Sequence, residues 1–461
     1  MMGSEVKEYD VIVVGSGSGT RIVDDALGHG MHVALVDRGP LGGTCMMVGC
    51  IPSKKLIFPA DRVMEAREAE KLGVEVDVTH IDFKEIMERM RRGVREGQKK
   101  VRAGIEAASN LDFYETEGYF VDKYTLRVGD ERITSDSIFL VSGARPLIPP
   151  IKGIEDVPYL TNESVLELTQ RPESLLIVGG GYIGAEYGHF FAAMGTQVTI
   201  IERNDRLMSR EEPEISELLT KKMSERMDVH TGAEAAEVRE DKDGIHVVCR
   251  NVQNGEEKIF SAERIMIAAG RESNADLLQV ENAEIATDEG NYIKVNEYLE
   301  TNVEDIWALG DATGEHMFKH VANREAAIVW HNFAHDHRVP MDYTAVPHAV
   351  FSYPQIASVG LTEAEARREF DILVGRADYW GVAKGEAMME TDGFAKAIVE
   401  RKSGRILGFH IIGPYAPMLI QEVIDVMADD GTVSAIARPM HIHPAMPELI
   451  AAAFSNLQET G

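Results

Sequence analysis

The stretch LLIVGGGYIGAEYGHFFAAMGTQVTIIER, residues 175–203, decides the fold. A short apolar run ends in Gly179, Gly181 and Gly184 follow at the spacing of a tight turn leading into a helix, and a β-branched run then closes on Glu202. The first glycine makes the turn, the second lets the backbone approach a pyrophosphate, and the third lets the helix pack on its strand. The acid accepts hydrogen bonds from a ribose 2′-hydroxyl. This grammar predicts a Rossmann-like dinucleotide-binding unit. Glu202 repels a 2′-phosphate and so favours NAD, while Arg203 beside it keeps NADP possible. Tyr182 stands where it either covers a nicotinamide pocket or simply packs.

A second copy of the pattern lies near the start of the chain. EYDVIVVG at 8–15 runs into Gly15, Gly17 and Gly19, and MHVALVD at 31–37 ends on Asp37. Thr20 takes the place of the usual third glycine. Two such units in one chain imply two dinucleotides, one of which can be a tightly held cofactor and the other a diffusing one.

Between the two lies LGGTCMMVGCIPSKK, Leu41 to Lys55, which carries the chemistry. The whole chain has 3 cysteines, and two of them, Cys45 and Cys50, fall in this stretch. Gly42 and Gly43 let backbone pass close to a flat ligand, and Pro52 is tolerated only in the first turn of a helix. A helix start favours a thiolate, and thiolate is the form that exchanges disulfides. The alternatives are half a metal site or two ordinary buried thiols. Structural zinc wants four ligands, and with no second cysteine pair no metal is expected. Cys249, in a predicted strand, reads as a buried hydrophobe.

At 461 residues the chain suggests about three domains. Its net charge of −29 excludes the basic surface that nucleic acid requires. No apolar run is long enough for a membrane span, and MMGSEVKEYD has no secretory pattern, so a cytoplasmic protein is expected. Residues 53–108 read as one long amphipathic helical region, with a basic run that is a solvated face. IFLVSGARPLIPP, 138–150, reads as a strand leaving a domain through a proline-rich crossover. RIMIAAGR, 264–271, ends an inserted domain, and IWALGDAT, 306–313, returns to the first with Asp311 near a bound cofactor. MHIHPAMPELIAAAF, at 440–454, groups His441, His443 and Glu448. A histidine and a carboxylate at this spacing suit an acid–base pair.

Taken in order, GSGSG, GGTCMMVGCIPSKK, GGGYIGAE, GRESN, ALGDA and HPAMPE resemble the class I pyridine nucleotide-disulfide oxidoreductases over nearly the whole chain. The resemblance implies an α/β protein with two Rossmann-like domains, for FAD and NAD, plus an α+β C-terminal dimerisation domain. It places an FAD domain at 1–150 and 271–340, an NAD domain at 151–270, and the dimerisation domain at 341–461. Carried over, Gly15, Gly17, Gly19 and Asp37 hold the adenosine end of FAD. Gly43, Thr44, Gly143 and Gly270 line the cofactors, and Asp311 meets the ribityl chain. Cys50 faces the flavin, Cys45 exchanges with substrate, Lys54 pairs with Glu186 near the flavin's reactive nitrogen, and His443 held by Glu448 serves the partner subunit's cysteines in a homodimer.

Within the family, Glu202 and IPSK look like dihydrolipoyl dehydrogenase, the leading reading, with a small dithiol or a lipoyl domain as substrate. Thr20, KHVANREA at 319–326 and HPAMPE look like mycothione reductase, so a low-molecular-weight disulfide (mycothione, bis-γ-glutamylcystine or glutathione type) is the alternative. A flavoprotein that has lost catalysis and serves a complex is a third reading. Met47, and Val141-Ser142-Gly143, depart from the family pattern.

Overall fold

The computed structural model describes residues 6–459, which divide into two compact units. One comprises Met1–Ser53, Met87–Leu147 and Gly270–Asp342; the other comprises Lys54–Ile86, Ile148–Ala269 and Tyr343–Gly461.

The first unit is built on a parallel sheet. Its five strands lie in the spatial order Ile306–Ala308, Ile138–Leu140, Val11–Val14, Val33–Val36, Leu111–Tyr114. Val11–Val14 and Val33–Val36 are buried throughout, which is why they read as continuous apolar runs rather than alternating ones. The earliest strand is central. Val33–Val36 and Leu111–Tyr114 lie on one side of it and Ile138–Leu140 and Ile306–Ala308 on the other, so the connections reverse direction at the end of Val14, the place where such sheets bind ligands. Val6–Glu8 joins a smaller sheet with Glu131–Thr134, Thr125–Val128 and Gly118–Asp122.

The second unit repeats the parallel design with Tyr159–Leu160, Arg264–Ile267, Ser174–Val178, Gln197–Ile201 and Asp228–His230 in that order. A three-stranded antiparallel sheet, Ala233–Asp241, Gly244–Asn251 and Glu257–Ala262, adds to it. The C-terminal part is a five-stranded antiparallel sheet. Helix Glu448–Ser455 packs on it through Leu449, Ile450, Ala453 and Phe454, whose ring stacks on Phe409 at 5.4 Å between centroids. The α/β class with its antiparallel C-terminal part is the expected one.

The single helical region expected over 53–108 is two helices, Cys50–Glu68 and Phe83–Ala107, with a short 3₁₀ turn at Ala69–Leu72. Gly73 ends the first in a left-handed conformation, φ +77°. The alternating Val74, Val76 and Val78 that follow favour extended chain because β-branching restricts their rotamers in a helix.

Candidate active site

The two glycine turns are built alike. Gly15 has φ +108° and Gly179 φ +110°. A Cβ at either would lie 2.1 Å from the Val141 carbonyl oxygen or 2.2 Å from that of Ala268, so only glycine lets the turn cross the neighbouring strand's end. Each turn is also tied to its acid. Asp37 accepts from the Ser16 amide at 2.5 Å and from the Gly39 amide at 2.6 Å. Glu202 accepts from the Gly180 amide at 2.6 Å and from Asn204, N at 2.7 Å and Nδ2 at 2.6 Å. Both carboxylates are thereby fixed beside the turns they follow.

The turns differ at the third glycine. A Cβ at Gly184 would be 1.9 Å from the Gly179 carbonyl oxygen. In the first turn Thr20 instead donates its hydroxyl to the Gly17 carbonyl at 3.1 Å, and Gly19 makes the close approach, its would-be Cβ 2.8 Å from Val13. The close approach to the strand is thus made one position earlier than in the second turn, and Thr20 is held by its own hydrogen bond to the turn.

The cysteine stretch lies directly on that first turn. Gly42 donates its amide to Ser16 Oγ at 2.8 Å, and a Cβ on Gly43 would come within 2.6 Å of Gly17 Cα. Cys45 then sits half-buried in the short helix Gly43–Met47, and Cys50 is exposed as the first residue of Cys50–Glu68. Cys249 is buried in its strand, and burial pushes its thiol up to about 12, so it stays protonated and inert.

Other groups in the chain are suited to polar cofactors. Ser142 Oγ and Arg271 Nε are buried without a hydrogen-bond partner, an arrangement that calls for a ligand or water. Arg271 Nε is also 3.6 Å from Asp311. Burial pushes the Asp311 carboxyl up, and the charges of Arg271 and Lys319 oppose that push. Gly17 and Gly181 have open space where a side chain would be, apart from Gly43 Cα at 3.8 Å from the former. Gly143 and Gly270 both adopt positive φ, +67° and +130°, beside the crossover. These features fit FAD in the first unit and a pyridine nucleotide on the second glycine turn.

In the second unit Lys54 Nζ reaches both Glu186 oxygens at 2.7 Å, and Glu186 also accepts from the Phe351 amide at 3.1 Å. Lys54 lies over the Phe351 ring as well, 4.6 Å from its centroid. His443 Nδ1 contacts Glu448 Oε1 at 2.9 Å, and the Ala445 amide donates to the other oxygen at 3.0 Å. The His443 hydrogen bond leads the effects that hold Glu448 below the usual carboxylate range. The side chain of His443 is 71% exposed. His441 does not join this pair. Its Nε2 meets Glu422 Oε1 at 2.8 Å, so the expected three-residue group resolves into two separate pairs.

Family models for pyridine nucleotide-disulphide oxidoreductases match residues 9–326, and the dimerisation domain of the same family matches 346–454. The chain belongs to the pyridine nucleotide-disulphide oxidoreductase family. It is a flavoprotein disulfide oxidoreductase, of a family that uses FAD and NAD(P)H. It is 34% identical to the mycothione reductase of Mycobacterium tuberculosis, over 98% of this chain and 100% of that one. It is 33% identical to a dihydrolipoyl dehydrogenase of Bacillus subtilis, over 96% and 95%. Among solved structures it superposes on the HOCl-induced flavoprotein disulfide reductase RclA from Escherichia coli with a TM-score of 0.86, at 28% identity, covering 97% of this chain and 99% of that one.

No helix among the described residues is long and apolar enough to cross a membrane. Sequence reasoning passed over Arg271, Ser142 and Lys319 as functional residues. Each lies inside a quoted motif, but only the fold brings Lys319 to Ser18 of the first glycine turn, Ser142 beside Gly15, and Arg271 beside Asp311.

Proposed function

We propose that this family member passes two electrons between NAD(H) and a small dithiol/disulfide couple through a Cys45–Cys50 redox pair, with dihydrolipoamide as the leading substrate. The observation that supports the reading is the seating of GGTC directly on the first glycine turn, Gly42 on Ser16 and Gly43 on Gly17, two residues before Cys45. FAD would be held by 1–150 and 271–340, the pyridine nucleotide by 151–270, and 341–461 would form the dimer contact. FAD, when bound, would supply two-electron redox chemistry between the pyridine nucleotide and the Cys45–Cys50 pair.

The rest falls to the chain's own residues. In the reducing direction Cys45 passes its thiol proton to the partner subunit's His443 and its sulfur attacks one sulfur of the substrate disulfide, forming a mixed disulfide and expelling the other sulfur as a thiolate, which takes that proton back. The Cys50 thiolate then attacks Cys45 sulfur, the second substrate thiolate leaves and is protonated, and the pair is left as a disulfide. Glu448 orients the histidine ring. Lys54, neutralised by Glu186, sets the charge near the flavin. Asp37 and Glu202 bind ribose hydroxyls, and Glu202 favours NAD over NADP. Oxidation of a dithiol runs these steps backwards, and relative potentials decide the direction.

Met440 and Ile442, 99% and 77% exposed beside His443, supply apolar surface that a second protomer would cover. A second reading, reduction of a low-molecular-weight disulfide of the mycothione type, is favoured by Thr20, by KHVANREA and by the 34% identity to mycothione reductase. Steady-state assays with dihydrolipoamide and NAD, set against a panel of thiol disulfides with NADH and NADPH, separate the two. Turnover of a thiol disulfide with none of dihydrolipoamide overturns the lipoyl reading.

A further inference from the structure

Lys319 opens the 16-residue helix Lys319–Ala334 with its side chain turned into the first unit. Its Nζ donates to Ser18 Oγ at 2.9 Å, and Ser18 in turn donates to Asn323 Oδ1 at 3.1 Å, one turn further along that helix. Ser18 belongs to the glycine turn that lies against Gly43, two residues before Cys45. The lysine is thus anchored, not swinging in solvent.

Its charge surroundings are unusual. Burial pulls the Lys319 ammonium down from its ordinary value, and the acidic groups whose fields oppose this are Cys45, Cys50 and Asp311. Asp311 is the only carboxylate of the three, and it is shared with Arg271 at 3.6 Å. Two cations therefore face one carboxylate beside two sulfurs. A half-buried ammonium is better accommodated with an anion nearby, and a thiolate formed at either sulfur supplies one. Lys54, one turn beyond Cys50 on its helix, already has both oxygens of Glu186.

Resting on the redox-pair reading above, we infer that Lys319 is the electrostatic partner of the Cys45–Cys50 pair, keeping the reduced pair as one thiolate and one thiol at neutral pH. The reduced dithiol gives up one proton, the ammonium keeps its own, and no electrons move. A nearby opposite charge favours the ionised thiol and lowers its pKa.

The test uses the flavin-bound protein reduced anaerobically with NADH, quenched with iodoacetamide across a pH series, with labelled cysteines located by mass spectrometry. In K319Q, which keeps a hydrogen-bonding group for Ser18 but loses the charge, the pH of half-maximal labelling at Cys45 or Cys50 rises by about one unit or more. K319R restores it, and K319M, also uncharged, repeats the K319Q shift in a second background. Equal labelling midpoints in wild type and both uncharged variants overturn the inference alone. If NADH exposes no labelled thiol at Cys45 or Cys50 even in wild type, the redox-pair reading falls and takes this inference with it.

Discussion

Cys45 and Cys50 differ in setting although they stand five positions apart: one is half-buried in a one-turn helix, the other is exposed at the head of a long one. That asymmetry suits a division of labour in which one sulfur exchanges with substrate and the other with the cofactor. Cys45→Ser is expected to lower disulfide turnover by at least about 10³-fold while NADH still reduces the flavin, as stopped-flow absorbance would show. His443→Gln should cost about 10²–10⁴ in kcat, the usual range for a general acid–base, with little change in flavin content; Glu448→Ala should cost less, because the ring is retained and only its orientation is lost. Much at this scale was legible. The cysteine pair, the two acids and the His443–Glu448 spacing carry their chemistry in residue type and distance along the chain. Lys319 and Arg271 do not, since a lone lysine or arginine looks like any solvated charge until the fold sets one against Ser18 and the other against Asp311.

The paired glycine turns show why local elements were readable and where reading stopped. A positive φ combined with a strand crossing admits only glycine, so Gly15 and Gly179 announce themselves. Thr20 stands where the third glycine is usual, and the close approach is made at Gly19 instead, a shift of one residue that spacing rules cannot resolve. The helix over 53–108 was misread because charged residues at helical spacing masked the break after Gly73.

A more distant cluster was invisible in sequence: Lys396, in strand Phe394–Glu400, meets Glu212 at 2.8 Å, Glu214 at 3.0 Å and Glu363 at 2.7 Å. Burial pushes Glu214 and Glu363 up, but hydrogen bonds, including those from Lys396, outweigh it and hold both below the ordinary value of 4.5. Their contribution to stability is complete above that unfolded-state value and is lost as pH falls through the lower folded values. Lys396→Met strands these carboxylates, Glu212 being almost fully buried. The expected cost is about 3 kcal/mol at pH 7, the low end for a broken buried pair because Glu214 and Glu363 keep some solvent. Denaturation curves at pH 7 and below pH 4 would show the difference shrink in acid. An equal difference at both would remove the charge argument.

For the molecule as a whole, the exposed His443 and its apolar neighbours Met440 and Ile442 fit the proposal that one protomer completes another's site. Cys45→Ser and His443→Gln, each inactive alone, should complement when co-expressed. Random pairing gives half heterodimers, each with one intact site of two, so about a quarter of wild-type activity is expected. No recovery would place both residues in sites made by a single subunit. The net charge of −29 tells nothing of this and instead describes solubility and non-specific association. The central claim is that the Cys50 sulfur lies against the flavin. Anaerobic addition of one equivalent of NADH tests it most directly: wild type should develop a long-wavelength absorption band that Cys50→Ser abolishes, whereas the same spectrum in both proteins would contradict it.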